Sequence, residues 1–158
     1  MLRQRLISAL IMVPLVVLAV LKLDGSWFAL LVAAAMLLAA WEWGPLVPLR
    51  GSVTRIAYLV FVLALIGLSW RSARAEIFVD TVLWLALAWW LFVLFWITRP
   101  ALGSGETGAH ALAKALLGCG LMVSTWLSLV VLHSLPEHGP YWVLYLLVLV
   151  WVADSGAF

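Results

Sequence analysis

The feature that most constrains this chain is the recurrence, six times in 158 residues, of an apolar run about as long as a membrane is thick. A helix rises 1.5 Å per residue and the hydrocarbon core is about 30 Å deep, so roughly 17 to 25 apolar residues cross it. The runs are Leu6 to Leu21, Trp27 to Trp43, Ile56 to Trp70, Val82 to Ile97, Ala113 to Leu132 and Tyr141 to Phe158. They predict an all-α, polytopic integral membrane protein with about six transmembrane helices. Composition agrees: 67% of residues are hydrophobic and 10% charged, against roughly 45 to 50% and about 25% in soluble domains. A soluble chain of this size leaves roughly a third of its unfolded surface exposed, which so apolar a sequence cannot supply in polar form. The eleven Trp residues suit a chain with two membrane interfaces.

The polar residues punctuate the runs. Lys22 to Ser26 is a short turn that makes the first two runs a hairpin, and Pro14 is expected to kink the first helix, as membrane helices tolerate. Asp80 or Thr81 is the expected cap of the fourth helix, and Pro100 its stop. Arg3 and Arg5 before the first run imitate a secretory signal, but no small-residue cleavage site follows and further spans come at once, so the run reads as a retained anchor. Gly103 to Gly108 lacks the preceding strand and the Lys-Ser/Thr ending of a phosphate loop, and reads as a connector. His110, His133 and His138 stand at run ends without metal-ligand spacing and read as solvated loop residues. Gly118, Gly120, Ser124 and Ser128 suggest one narrow helix face for close packing. Cys119, the single cysteine, excludes an internal disulfide and a Cys-based zinc site, and reads as a small packing residue. A net charge of +2 from dispersed basic residues excludes a nucleic-acid partner. With no internal repeat or boundary, residues 1–158 read as one transmembrane helical region.

Orientation follows from Lys and Arg in the short loops. An inside amino terminus places Arg3, Arg5, Arg50, Arg55, Arg99 and Lys114 on the cytoplasmic side, and Lys22, Arg71 and Arg74 on the other. The amino terminus is therefore expected in the cytoplasm, and the sixth helix then carries Asp154 into the cytoplasmic half. From Tyr141, Asp154 lies about 20 Å along the run, some ~10 Å short of the far edge of the hydrocarbon. An aspartate is too short to snorkel that far. At a helix centre it costs roughly 2.5 to 3.5 kcal/mol, and such residues face the bundle interior or a wet cavity. The small neighbours Ser155, Gly156 and Ala157 leave room for a ligand. A carboxylate so placed suits Mg²⁺, which takes oxygen ligands, commonly one or two carboxylates with substrate phosphates. Glu42, between Trp41 and Trp43, is either an interface carboxylate or a group holding a basic residue at the cavity mouth, and is the candidate for a substrate-side contact.

The ending Leu149-Val150-Trp151-Val152-Ala153-Asp154-Ser155-Gly156-Ala157-Phe158 resembles the V-W-x-A-D-[ST]-G-A-[YF] stretch of the bacterial phosphatidate cytidylyltransferases, the CDP-diacylglycerol synthases. The opening Leu2 to Leu10 with Pro14, the Ala40-Trp41-Glu42-Trp43 segment, and the Leu135 to Pro140 turn are similar to the same family. The resemblance implies transfer of CMP from CTP to phosphatidic acid in the bacterial inner membrane, giving CDP-diacylglycerol and pyrophosphate, with Mg²⁺ as cofactor and Asp154 as a metal ligand. A homodimer stays open. The family's further signature, a Lys-Arg segment followed by Lys-Asp, then His-Gly-Gly and an Asp-Arg pair, does not occur here. The expectation is thus an amino-terminal fragment that lacks a complete catalytic set and is inactive alone. The rival reading is a cation- or proton-coupled transporter fragment with Asp154 in the pathway.

Overall fold

Helices form where the apolar runs stand, and each extends past its run into the flanking polar residues. In the computed structural model they are α1 (Leu2–Lys22), α2 (Gly25–Trp43), α3 (Ser52–Ser72), α4 (Glu76–Ile97), α5 (Gly108–His133) and α6 (Gly139–Gly156). The structure describes residues 2–47, 51–73, 75–99 and 108–157, without the side chains of residues 2–9, 76, 96, 97 and 109. Arg3, Arg5, Arg50, Arg74, Pro100, Gly103 to Thr107 and Phe158, all used above, lie outside that description in whole or in side chain. Among the described residues there is no strand, and α2 to α6 each hold a stretch long and apolar enough to cross a membrane. In α1 the apolar helical part is Leu10–Lys22, and the helix runs unbroken through Pro14.

Local chemistry explains the ends. Only Leu23 and Asp24 separate α1 from α2, and Asp24 caps α2 by accepting the Trp27 amide at 3.0 Å. The start of α4 differs from expectation. The Ala75 carbonyl accepts the amides of Phe78 and Val79, so the helix begins at Glu76 and neither Asp80 nor Thr81 caps it. Thr81 instead donates to the Ile77 carbonyl at 2.6 Å, satisfying its hydroxyl inside the helix. The turn before α6 passes through His138 at φ 64°, with Pro in the first turn of the helix behind it.

The chain forms two compact units. The first comprises residues 1–31 and 129–158. In it α1 packs against α6, and Val20, Phe28, His133, Gly139 and Val143 are buried. His133 was expected in solvent, yet it is buried. Its ring stacks on Phe28 with centroids 4.0 Å apart and planes within 11°, and its Nε2 lies 3.0 Å from the Val20 carbonyl oxygen. Val20 is in the last turn of α1, where helical carbonyls lack amide partners. The imidazole N–H fills that vacancy.

The second unit comprises residues 32–128. Tyr58, Val62, Ile66 and Ser69 recur at helical spacing as the buried face of α3, and α5 buries Cys119, Met122, Trp126 and Leu127. Cys119 is thus the packing residue its sequence neighbours suggest. Two polar tips tie helices together at one end: Trp43 Nε1 donates to the Lys114 carbonyl at 3.1 Å, and the Tyr58 hydroxyl donates to the Ala115 carbonyl at 3.2 Å. Near the other ends of α3 and α5, Trp70 meets Trp126 with centroids 6.0 Å apart. The large apolar side chains on the outer surfaces, such as Leu85 and Trp84, are exposed, as lipid-facing residues must be.

Candidate active site

The last turn of α6 carries the one carboxylate expected to do chemistry. Helix α6 begins against the end of α5 so closely that a side chain at Gly139 would collide with the backbone carbonyl oxygens of His133 and Leu132. Val143, one turn on, is fully covered. Eleven residues further, at 100° each, bring Asp154 back to within about 20° of Val143 around the helix. Asp154 therefore continues the face that α6 buries at its start. At its own level the face is open: Asp154, Ser155 and Gly156 are exposed, and among the described residues no ion pair or hydrogen bond engages the carboxylate.

That position is costly for a lone anion and favourable for a cation. The end of a helix concentrates unpaired carbonyls and the negative end of its dipole, and Asp154 adds a full charge two residues before the last helical residue. The carboxylate, the Ser155 hydroxyl and the terminal carbonyls are all oxygen donors, the set Mg²⁺ prefers. They fit as one part of a site. Among the described residues there is no group of three or more His, Cys, Asp or Glu that could hold a metal, so a metal ion here would need further ligands from water, substrate phosphates or groups elsewhere.

Glu42 lies apart from this chemistry. It is exposed at the end of α2 and lines a cavity of about 440 Å³ in the second unit with Met36, Ala39, Trp43, Met122 and Thr125. Among the described residues no ion pair engages it, and the Arg55 guanidinium lies over the Trp41 ring, 5.8 Å from its centroid. The small-residue face of α5 also divides. Gly118 is buried beneath Trp43 and Tyr58, whereas Gly120 has open space where its side chain would be, and Ser124 and Ser128 bond back to their own helix. Sequence reasoning missed the indole of Trp43, the phenol of Tyr58 and the imidazole of His133 as interhelical donors. The available signal was that each has an apolar body with one polar tip, which in lipid must find a partner.

A family profile described as "Cytidylyltransferase family" matches residues 3–158. The phosphatidate cytidylyltransferase of Pseudomonas aeruginosa is 32% identical over 160 residues, an alignment covering all of this chain and 56% of that protein. The phosphatidate cytidylyltransferase of Haemophilus influenzae is 27% identical over 172 residues, covering all of this chain and 59% of that protein. This chain thus spans less than two thirds of the length of these relatives. No solved structure matches it. Neither relative supports the transporter reading, and the profile includes the Asp154 turn. The chain belongs to the cytidylyltransferase family.

Proposed function

We propose that the protein carrying this chain transfers CMP from CTP to phosphatidic acid, forming CDP-diacylglycerol and releasing pyrophosphate. The observation that carries this reading is the match of the whole chain to relatives named phosphatidate cytidylyltransferase. In the reaction a phosphate oxygen of the lipid bonds to the α-phosphorus of CTP as the α–β bridging P–O bond breaks, and pyrophosphate leaves with that bond's electron pair. Neither substrate supplies a difficult covalent step, so positioning and charge neutralisation dominate the rate. Mg²⁺, when bound, supplies that neutralisation. Asp154 is the residue of this chain that would hold it, on a helix end whose dipole favours a cation. Excess Lys and Arg in the loops on the amino-terminal side supports an inner-membrane protein with a cytoplasmic amino terminus, which puts Asp154 on the side where CTP is available.

The test uses membranes from cells expressing the complete reading frame, radiolabelled CTP and phosphatidic acid. Wild-type membranes should form labelled CDP-diacylglycerol in a Mg²⁺-dependent way, and Asp154→Asn should lower the rate by at least about a hundredfold with membrane insertion intact. No product from the wild type would sink the assigned activity. A near-normal rate from Asp154→Asn would sink the metal assignment alone.

A further inference from the structure

Among the apolar spans α5 has the largest buried share, yet one stretch of it has open space on two sides. A groove of about 510 Å³ separates it from Phe61 and Leu65 of α3 and from Ala86 and Trp89 of α4, with Gly120 and Ser124 on its α5 wall. A cleft of about 440 Å³ separates it from Met36, Ala39 and Glu42 of α2, with Met122 and Thr125 on its α5 wall. Gly120 and Met122 are two residues apart, which turns a helix by about 200°, so the two spaces flank α5 on nearly opposite faces. Close-packed neighbours hold a core helix in place, and space on both faces gives it room to lean.

The backbone of the same stretch is weakened from within. The Ser124 hydroxyl donates to the Leu121 carbonyl at 3.1 Å, and the Ser128 hydroxyl to the Ser124 carbonyl at 2.7 Å. In a helix those carbonyls are also the acceptors for the amides four residues on, at Thr125 and Ser128, so a hydroxyl and an amide compete for each oxygen. Such back-bonding slightly destabilises a helix and often bends it. The earlier part of α5 is held by its neighbours instead: Trp43 Nε1 and the Tyr58 hydroxyl donate to the Lys114 and Ala115 carbonyls. Weak backbone bonds and lateral room therefore coincide from Leu121 to Ser128 and not before it.

We propose that α5 carries a flexing point between Leu121 and Ser128, where local opening lets the helix lean toward one space and away from the other. The cleft that Glu42 lines then narrows as the apolar groove widens, and the reverse. The device is independent of Asp154 and of the transfer reaction proposed above.

The complete protein in nanodiscs is followed by amide hydrogen exchange read by mass spectrometry, which reports local opening over minutes to hours. With intrinsic rates divided out, residues 121–128 of the wild type should exchange faster than residues 112–119, which lie about as far from the middle of the same helix. Ser124→Ala combined with Ser128→Ala leaves both carbonyls to the amides and should slow residues 121–128 about fourfold, roughly twofold per serine, with residues 112–119 unchanged. Ala86→Phe fills the groove from α4 and Ala39→Leu fills the cleft from α2; neither changes α5 itself, and each should slow the same segment. Exchange in residues 121–128 that is no faster than in residues 112–119, or that is not slowed by the paired serine substitutions, would overturn the flexing point. Unchanged exchange in both cavity-filling variants would overturn its coupling to the two spaces.

Discussion

Two glycines on α5 should respond in opposite ways to the same substitution. A methyl group at Gly118 would stand 2.5 Å from Trp43 Nε1, 2.6 Å from the Tyr58 hydroxyl oxygen and 2.7 Å from Trp43 Cδ1, far inside the roughly 3.5 to 4 Å of a normal contact. At Gly120 the same methyl would meet nothing within 4 Å. The clashing atoms at Gly118 are side-chain tips, so the rings can swing aside. Doing so breaks the bonds from Trp43 to the Lys114 carbonyl and from Tyr58 to the Ala115 carbonyl. Interhelical bonds in membrane bundles average about 0.6 kcal/mol each, and forcing extra volume into a packed site costs about 1 to 3 kcal/mol. Replacing a helical glycine with alanine returns roughly 0.5 to 1 kcal/mol at either position. Gly118→Ala should therefore destabilise by about 1 to 3 kcal/mol, and Gly120→Ala should stabilise by about 0.5 to 1 kcal/mol.

The assay is unfolding of the purified chain in detergent by increasing SDS fraction, followed by helical circular dichroism and by Trp fluorescence. A third variant assigns the cause: in a Trp43→Leu background, which removes the indole, Gly118→Ala should cost measurably less than in the wild type, the signature of coupled neighbours. If Gly118→Ala and Gly120→Ala unfold at the same SDS fraction, the junction of α2, α3 and α5 is not built as described.

The turn between α5 and α6 offers three more tests. His133→Phe keeps a ring on Phe28 but loses the donor to the Val20 carbonyl, and should cost about 1 kcal/mol in the same unfolding assay; wild-type stability would show that the α1 carbonyl does not need this partner. His138 holds a left-handed backbone that costs an L-residue roughly 1 kcal/mol, so His138→Gly should be neutral or stabilising. Gly139→Ala should destabilise by about 1 to 3 kcal/mol, because the colliding carbonyls of Leu132 and His133 are backbone and cannot swing away.

The helices were legible because lipid demands long apolar runs, and nothing else in this sequence imitates them. Their ends were less so. Asp80 and Thr81 looked like caps of α4, but a helix need not stop where the hydrocarbon does, and the Ala75 carbonyl starts it earlier. His133 misled for a different reason: its partner, Val20, is 113 residues away, and no local pattern announces a carbonyl left open by another helix. Gly118 and Gly120 look alike in sequence, yet two residues turn a helix by about 200°, so one is sealed beneath aromatic rings and the other opens a groove. Spacing alone proposed one face where there are two.

Asp154 shows the limit of reading depth without surroundings, and stability separates the two roles that depth allows. A carboxylate within a span costs roughly 2.5 to 3.5 kcal/mol at the centre and about 0.3 to 1 kcal/mol more beside the negative end of a helix. A structural aspartate would recover this through a cation or donor packed against it, and among the described residues the side chain is exposed with no such partner. A residue kept for a ligand should therefore burden the protein when that ligand is absent. Asp154→Asn preserves shape and removes the charge, so in Mg²⁺-free nanodiscs the complete protein carrying it should be at least as stable as wild type, by up to about 1 kcal/mol. Added Mg²⁺ should stabilise wild type and not the variant, as ligand linkage requires. If Asp154→Asn is instead less stable in the absence of Mg²⁺, the carboxylate is holding the fold together and its assignment to the metal fails.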